Sequence, residues 1–316
     1  MGKGLTRVAV LVLVTLLVLL LAACSAEKSP YPFISLSKVE PEHNNWQPLV
    51  KQGEPLRVAL ASITSARESF VYYDELLKYL SNQLGRPVEI IQRKTYAEVN
   101  NLVRDGQVDL AFVCTYSYVL GHDDFGMELL VAPRVQGQSS YRSCIITRKD
   151  SGIDRFEQLR GKTFAFTDPL STSGTLYPIY LLKQAGETPD SFFKKYIFTY
   201  SHDNSIKAVA DGLVDGAAVD SLVLDYMTER NPAQTKDLQV IHESPIFAIP
   251  PVVVRPGLEP ELKEKLRATF LAMDQDPQGR RILAQLRVDK YVVIEDAAYN
   301  TVRALGDVKI TDETRK

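Results

Sequence analysis

The sequence is poor in the residues on which disulfide scaffolds and metal centres depend: 316 residues hold three cysteines, four histidines and one tryptophan. So few cysteines cannot build the dense disulfide framework of a small secreted domain. His43, His122, His202 and His242 stand at no metal-ligand spacing. Neither a Gly-x-Ser-x-Gly elbow nor a Walker loop occurs. An excess of one charge is missing as well, since 37 Lys plus Arg face 39 Asp plus Glu for a net charge of -2. No basic field is available to gather nucleic acid, and no cofactor is expected. The remainder is ordinary globular composition, 45% hydrophobic and 24% charged with 17 Gly and 17 Pro. It argues against a disordered or collagenous chain and leaves length for two compact lobes.

Acid is absent from residues 1–23, which pair a basic start (Lys3, Arg7) with an apolar run from Val8 to Ala23 broken only by Thr15. At about 16 residues the run falls short of the roughly 20 needed for a spanning helix, so it reads as a secretory signal. It ends in Leu21-Ala22-Ala23-Cys24. This resembles the lipobox of bacterial lipoproteins, which implies a lipid on Cys24 as the first mature residue, whereas the alternative is an ordinary cleaved signal with an incidental cysteine. Residues 24–55 carry Pro30, Pro32, Pro41, Pro48 and Pro55 with no sustained period and read as a tether.

From Leu56 the pattern becomes β-α-β-α-β. Leu56–Leu60 is a strand, Phe70 to Leu84 an amphipathic helix, Pro87–Ile91 a strand, Tyr96–Arg104 a helix and Val108–Val113 a strand. The rhythm returns with strands over 162–166, 196–200 and 214–219 and helices over 175–184 and 205–210, which implies mainly parallel sheets covered by helices. Asp105-Gly106-Gln107-Val108-Asp109-Leu110-Ala111-Phe112-Val113 and Asp211-Gly212-Leu213-Val214-Asp215-Gly216-Ala217-Ala218-Val219 agree at Asp, Gly, Val, Asp, Ala and Val. They fall at the same step of two α/β units, which points to two similar lobes. Ligands of open α/β sheets bind beyond the carboxyl ends of strands, so Cys114 to Tyr118 and Asp220-Ser221 are the places to look.

A third such place, Thr167-Asp168-Pro169-Leu170-Ser171-Thr172-Ser173-Gly174-Thr175, crowds hydroxyls and a glycine onto a helix N-terminus. Free N–H groups and the helix dipole there favour an anion. A plain N-cap needs only one of those hydroxyls.

The stretch from Tyr141 to Ile153, Leu159-Arg160-Gly161-Lys162 and Phe166-Thr167-Asp168-Pro169-Leu170-Ser171-Thr172-Ser173-Gly174 resemble the phosphate/phosphite/phosphonate family of ABC-transporter substrate-binding proteins, and the similarity runs from about Leu56 to about Tyr299. The resemblance implies a two-lobed α/β class II periplasmic-binding-protein fold. Lobe one would take residues 56–142 and 250–316, and lobe two residues 143–249. A two-stranded hinge would cross at Ser143–Thr147 and return at Ala248–Val254. By the same resemblance Ser171, Thr172, Ser173 and the Gly174 backbone hold a phosphorus oxyanion, with His202 and Asp220 from lobe two and Tyr73 and Tyr116 as candidates from lobe one. Phe112-Val113-Cys114-Thr115-Tyr116-Ser117-Tyr118 departs from the glycine and proline that many relatives place before a tyrosine, in a segment expected to touch whatever substituent the phosphorus bears. Delivery to an ABC permease and ATPase is implied, by a monomer held at the cell envelope and facing the periplasm or the exterior. Two other readings stay open: a lipoprotein sensing the same ligand for a membrane signalling protein, and a hydrolase built from Ser173, His202 and Asp220. Cys114 and Cys144 are expected as free, buried thiols, because a bond between cleft and hinge would restrain closure.

Overall fold

The computed structural model describes residues 53–306. The signal segment, the Cys24 lipobox and nearly all of the tether lie outside the described residues. Strands β1 (Leu56–Leu60), β2 (Val88–Gln92), β3 (Leu110–Phe112) and β4 (Glu128–Arg134) come first in the chain. They are followed by β5 (Ser140–Tyr141), β6 (Ser143–Arg148), β7 (Thr163–Phe166), β8 (Lys195–Phe198) and β9 (Gly216–Asp220). Last come β10 (Leu238–Glu243), β11 (Phe247–Ala248), β12 (Val252–Val254) and β13 (Lys290–Val292). The helices that matter for the site are α1 (Ala66–Leu84), α2 (Tyr96–Arg104), α3 (Thr115–Phe125), α4 (Tyr177–Gln184), α5 (His202–Ala210) and α6 (Ser221–Arg230).

Two sheets carry the architecture. The lobe-one sheet runs β13-β4-β12-β3-β1-β2 and the lobe-two sheet β10-β6-β9-β7-β8. In each, parallel pairing is confined to the three βαβ strands: β2 and β3 flank β1, and β8 and β9 flank β7. The expected mainly parallel sheets are therefore mixed ones. The segments that cross between lobes, and those that follow them, run back beside their neighbours, so β12 lies antiparallel to β3 and β6 antiparallel to β9. The central strands Leu110–Phe112 and Gly216–Asp220 are buried along their whole length, as strands covered on both faces must be.

The hinge differs from its expected position. Ser143–Thr147 is not the crossover but part of β6 inside the lobe-two sheet, and Val252–Val254 belongs to lobe one. The two-stranded ribbon between the sheets is β5 paired with β11, Tyr141 opposite Phe247 and Ser140 opposite Ala248.

The internal repeat has a structural cause. Asp109, ahead of β3, accepts the Arg57 N–H at 3.0 Å and returns its own N–H to the Arg57 carbonyl at 2.8 Å. Asp215, ahead of β9, does the same with Thr163 at 2.7 and 3.1 Å. In each lobe the repeated aspartate locks the third strand to the start of the first, while Gly106 and Gly212 take the left-handed turn (φ 64° and 69°) that ends the preceding helix.

Candidate functional site

Beyond Phe166 the chain turns through Thr167-Asp168-Pro169-Leu170 onto a helix N-terminus. Ser171 is the N-cap, its Oγ accepting the Gly174 N–H at 3.0 Å. The Thr175 and Leu176 N–H groups both reach the Ser171 carbonyl, and the Tyr177 N–H reaches that of Thr172. Residues 172–176 thus form a wide π-type turn before α4, a feature frequent at functional sites. The first N–H groups of a helix have no carbonyl one turn earlier to bond. Here they stand beside Ser171, Thr172 and Ser173, each no more than 1% exposed, and the Ser173 hydroxyl has no hydrogen-bond partner.

Gly174 serves another purpose than the one expected of it. Its N–H is committed to Ser171, and a Cβ there would lie 2.3 Å from Thr167 Oγ1 and 2.4 Å from Thr167 Cβ. Close packing of the loop on its own strand requires the glycine.

His202 was expected ahead of a helix beginning at Ser205, as a direct ligand contact. The helix begins at His202 itself, after Tyr200 turns through the left-handed region at φ 61°. The ring is 1% exposed, and burial holds it neutral by lowering its pKa to about 3. Nδ1 accepts the Asp220 N–H at 3.1 Å and lies 3.2 Å from Thr167 Oγ1. The ring hydrogen therefore sits on Nε2, 3.4 Å from Ser171 Oγ. With Gly174 N–H and Nε2–H on its lone pairs, the Ser171 hydroxyl keeps its own hydrogen to donate. His202 thus orients Ser171 and the Asp220 main chain. A serine-hydrolase relay needs Nδ1–H bonded to the carboxylate and Nε2 facing the nucleophile; here Nδ1 accepts a main-chain N–H and Nε2 faces a cap residue, not Ser173.

Asp220 ends β9 and caps α6, Oδ1 accepting the Leu222 and Val223 N–H groups at 2.8 and 3.4 Å. Burial, only partly opposed by those two donors, pushes its pKa up to about 7, so near neutrality the carboxyl can donate or accept. Asp168 is likewise lifted to about 6 by burial. It accepts the Leu170 N–H at 2.8 Å and, from the other lobe, the Tyr96 N–H at 3.1 Å.

Of the two lobe-one tyrosines expected, neither brings its phenol to this niche. Tyr73 packs edge-on against Phe112, ring centroids 4.9 Å apart, and burial raises its phenol to about 12. It lines a neighbouring interlobe cavity of about 740 Å³ that reaches Asp220 and Leu222. The Tyr116 side chain joins the hydrophobic core, and what it offers is its N–H, donated to Thr172 Oγ1 at 2.8 Å. The phenols that do converge are Tyr96, on the first residue of α2, and Tyr141, in the hinge. Both hydroxyls are buried without a hydrogen-bond partner of good geometry. Burial raises both pKa values, and each phenol interacts electrostatically with Cys114 and Asp220. The Thr115 and Thr172 hydroxyls stand beside that of Tyr141. A signal for both was legible: Tyr96 lies just past the carboxyl end of β2, and Tyr141 opens the stretch that carries the family resemblance.

Cys114 and Cys144 are both free and buried. Among the described residues no cluster of His, Cys, Asp and Glu could hold a metal, and no helix is long and apolar enough to cross a membrane. The niche offers neutral hydroxyls, N–H groups and two buried carboxyls, Asp168 and Asp220, raised to about 6 and about 7. Such a set suits a compact anion that exchanges a proton in the same range.

Two lobes closed over a buried, donor-lined helix N-terminus define a solute-binding protein. Residues 58–299 match the family of ABC-transporter phosphonate periplasmic substrate-binding proteins, and the chain belongs to that family. The phosphate-import protein PhnD of Mycolicibacterium smegmatis is 31% identical over 313 residues, covering 92% of each chain. The phosphonates-binding periplasmic protein of Escherichia coli is 28% identical over 261 residues, 81% of this chain and 77% of its own. Among solved structures, a binding component of an ABC phosphonate transporter from Pseudomonas aeruginosa superposes with a TM-score of 0.76 at 28% identity, covering 80% of this chain and 86% of that one. PhnD1 of Prochlorococcus marinus in complex with methylphosphonate shares the fold at a TM-score of 0.72 and 23% identity, over 79% of this chain and 96% of that one.

Proposed function

We propose that this protein captures a phosphorus oxyanion, a phosphonate, phosphite or phosphate, between its lobes and hands it to an ABC permease and ATPase. It acts as a monomer held to the cell envelope by a lipid on Cys24. One observation carries the ligand reading: the buried hydroxyls of Tyr96 and Tyr141 converge with Asp220 and Thr172 at a helix N-terminus that also carries Ser171 and the unpartnered Ser173 hydroxyl. Leaving such groups buried and unbonded costs about 1–3 kcal/mol each, a cost that a tetrahedral anion accepting from them removes. Asp220, titrating near 7, supplies the complement: it donates to a fully ionised anion or accepts from a singly protonated one. Transport, not signalling or hydrolysis, is the role carried by the names of its relatives. A thermal-shift panel of phosphate, phosphite, hypophosphite, methylphosphonate and 2-aminoethylphosphonate tests the reading. A ligand at 100 times its Kd stabilises by about 2.7 kcal/mol, and a panel without a single stabilising member would overturn it. Fractionation of a Cys24→Ala variant tests the anchor, with release from the membrane fraction expected.

A further inference from the structure

The internal repeat places two residues at the same step of the two lobes: Cys114 directly follows Val113, and Asp220 directly follows Val219. Both are N-caps, of α3 and α6. Asp220 uses its side chain for the cap, whereas Cys114 makes no side-chain cap bond. Cys114 is 3% exposed, and its Sγ lies 3.8 Å from Thr172 Oγ1, across the cleft on the anion loop. The Thr172 and Tyr116 N–H groups also point to that sulfur. Around it stand the unpartnered Tyr96 and Tyr141 hydroxyls and Asp220. The niche therefore has one wall of strong hydrogen-bonding groups and, in contact with it at Thr172, a thiol.

A thiol donates and accepts hydrogen bonds only weakly, behaving as a small polarisable apolar group. An oxygen of the anion lodged against it would lose its water and gain little. A P–H hydrogen or a P–CH₃ group there needs no partner and meets a soft surface of matching character.

We propose that the Cys114 thiol is a specificity-determining contact that disfavours the anion bearing four oxygens and favours one in which the fourth group on phosphorus is hydrogen or carbon. The inference rests on the phosphorus-oxyanion reading and names the subclass that the niche selects.

The test is isothermal titration of phosphate and methylphosphonate into wild type, Cys114→Ser and Cys114→Ala. The quantity read is the ratio of the two dissociation constants, phosphate over methylphosphonate. A serine hydroxyl can pair with the fourth oxygen, so Cys114→Ser is expected to lower the ratio about tenfold, the worth of one hydrogen bond gained. Cys114→Ala, which offers no partner, is expected to leave it within threefold of wild type. A ratio in Cys114→Ser within threefold of wild type, or an equal fall in Cys114→Ala, overturns the proposal. Failure of the underlying reading looks different, with no phosphorus anion binding wild type at all, and that result overturns both.

Discussion

The two lobes share a fold unit and a Asp-Gly-x-Val-Asp turn, yet they contribute opposite kinds of group to the cleft. Lobe two presents the hydroxyl loop, His202, Asp168 and Asp220, all on loops or helix starts just past strand ends. Lobe one presents apolar wall, the Cys114 sulfur, the Tyr96 phenol and main-chain N–H groups. Duplicated architecture has kept the aspartates that lock the strands, Asp109 and Asp215, while the residues one step beyond the third strand have diverged into thiol and carboxyl. The repeat thus separates what builds a lobe from what the lobe recognises.

The largest effect should come from glycine. Gly174→Val in lobe two would drive a side chain into Thr167, held by contacts to the Ala218 carbonyl of β9, to Ser205 and to His202, and should cost about 3 kcal/mol or more in urea denaturation. Gly121→Ala in lobe one also lacks room, but its Cβ would meet the end of the Met127 side chain at 2.5 Å. That chain can swing aside, so about 1 kcal/mol is expected. Equal costs would break the view that the lobe-two loop is the rigid half of the site.

The repeated aspartates come next. Asp109 faces two guanidinium groups, Arg57 at 3.2 Å and Arg255 at 3.1 Å, while Asp215 takes an N–H and a hydroxyl from Thr163, both at 2.7 Å. Asp109→Ala should destabilise by about 2 kcal/mol and Asp215→Ala by about 1 kcal/mol, with neither changing ligand affinity in the folded protein. A selective loss of affinity would show that the strand lock belongs to the site.

Tyr96→Phe and Tyr141→Phe should each weaken anion binding by about 1.5–3 kcal/mol, the range for hydrogen bonds to charged groups. Their melting temperatures without ligand should hold or rise, because each removes an unsatisfied buried hydroxyl. Tyr73→Phe is the control from the same lobe and should leave affinity unchanged by calorimetry.

The last effect is one of pH. Asp220 has its folded pKa raised from the ordinary 3.8 to about 7, so its contribution to stability is fully present below pH 4 and is lost as pH rises through 7. Asn cannot ionise. The melting temperature of Asp220→Asn, relative to wild type, should therefore climb between pH 5 and 8 and then level off. A gap that stays flat would mean that the carboxyl does not titrate in the folded protein as its raised pKa requires.

Much of this was legible in the sequence. The hydroxyl loop stood out because four hydroxyls exceed what a cap needs, and the two-lobe plan because an Asp-Gly turn recurs at equivalent steps. Tyr96 and Tyr141 were harder to find, because aromatic residues at a helix start or in a hinge strand read as core until tertiary structure shows that their hydroxyls lack partners. Tyr73 lost its expected role to packing, since at its place on α1 its ring meets Phe112. The helix from Thr115 escaped notice because its sequence, Thr-Tyr-Ser-Tyr-Val-Leu-Gly-His, carries little helical amphipathicity.

Three helix starts in lobe one finish their hydrogen bonding in lobe two. The Ser65 N–H ahead of α1 bonds Asp203 at 2.8 Å, the Tyr96 N–H of α2 bonds Asp168, and the Tyr116 N–H of α3 bonds Thr172. Each of these amides loses its protein acceptor when the lobes part and water takes its place. Their rates of deuterium uptake consequently form a built-in gauge of lobe opening, independent of any ligand label. Because the three lie on separate helices, the same gauge distinguishes a cleft that swings open as one body from one that unzips from a single side.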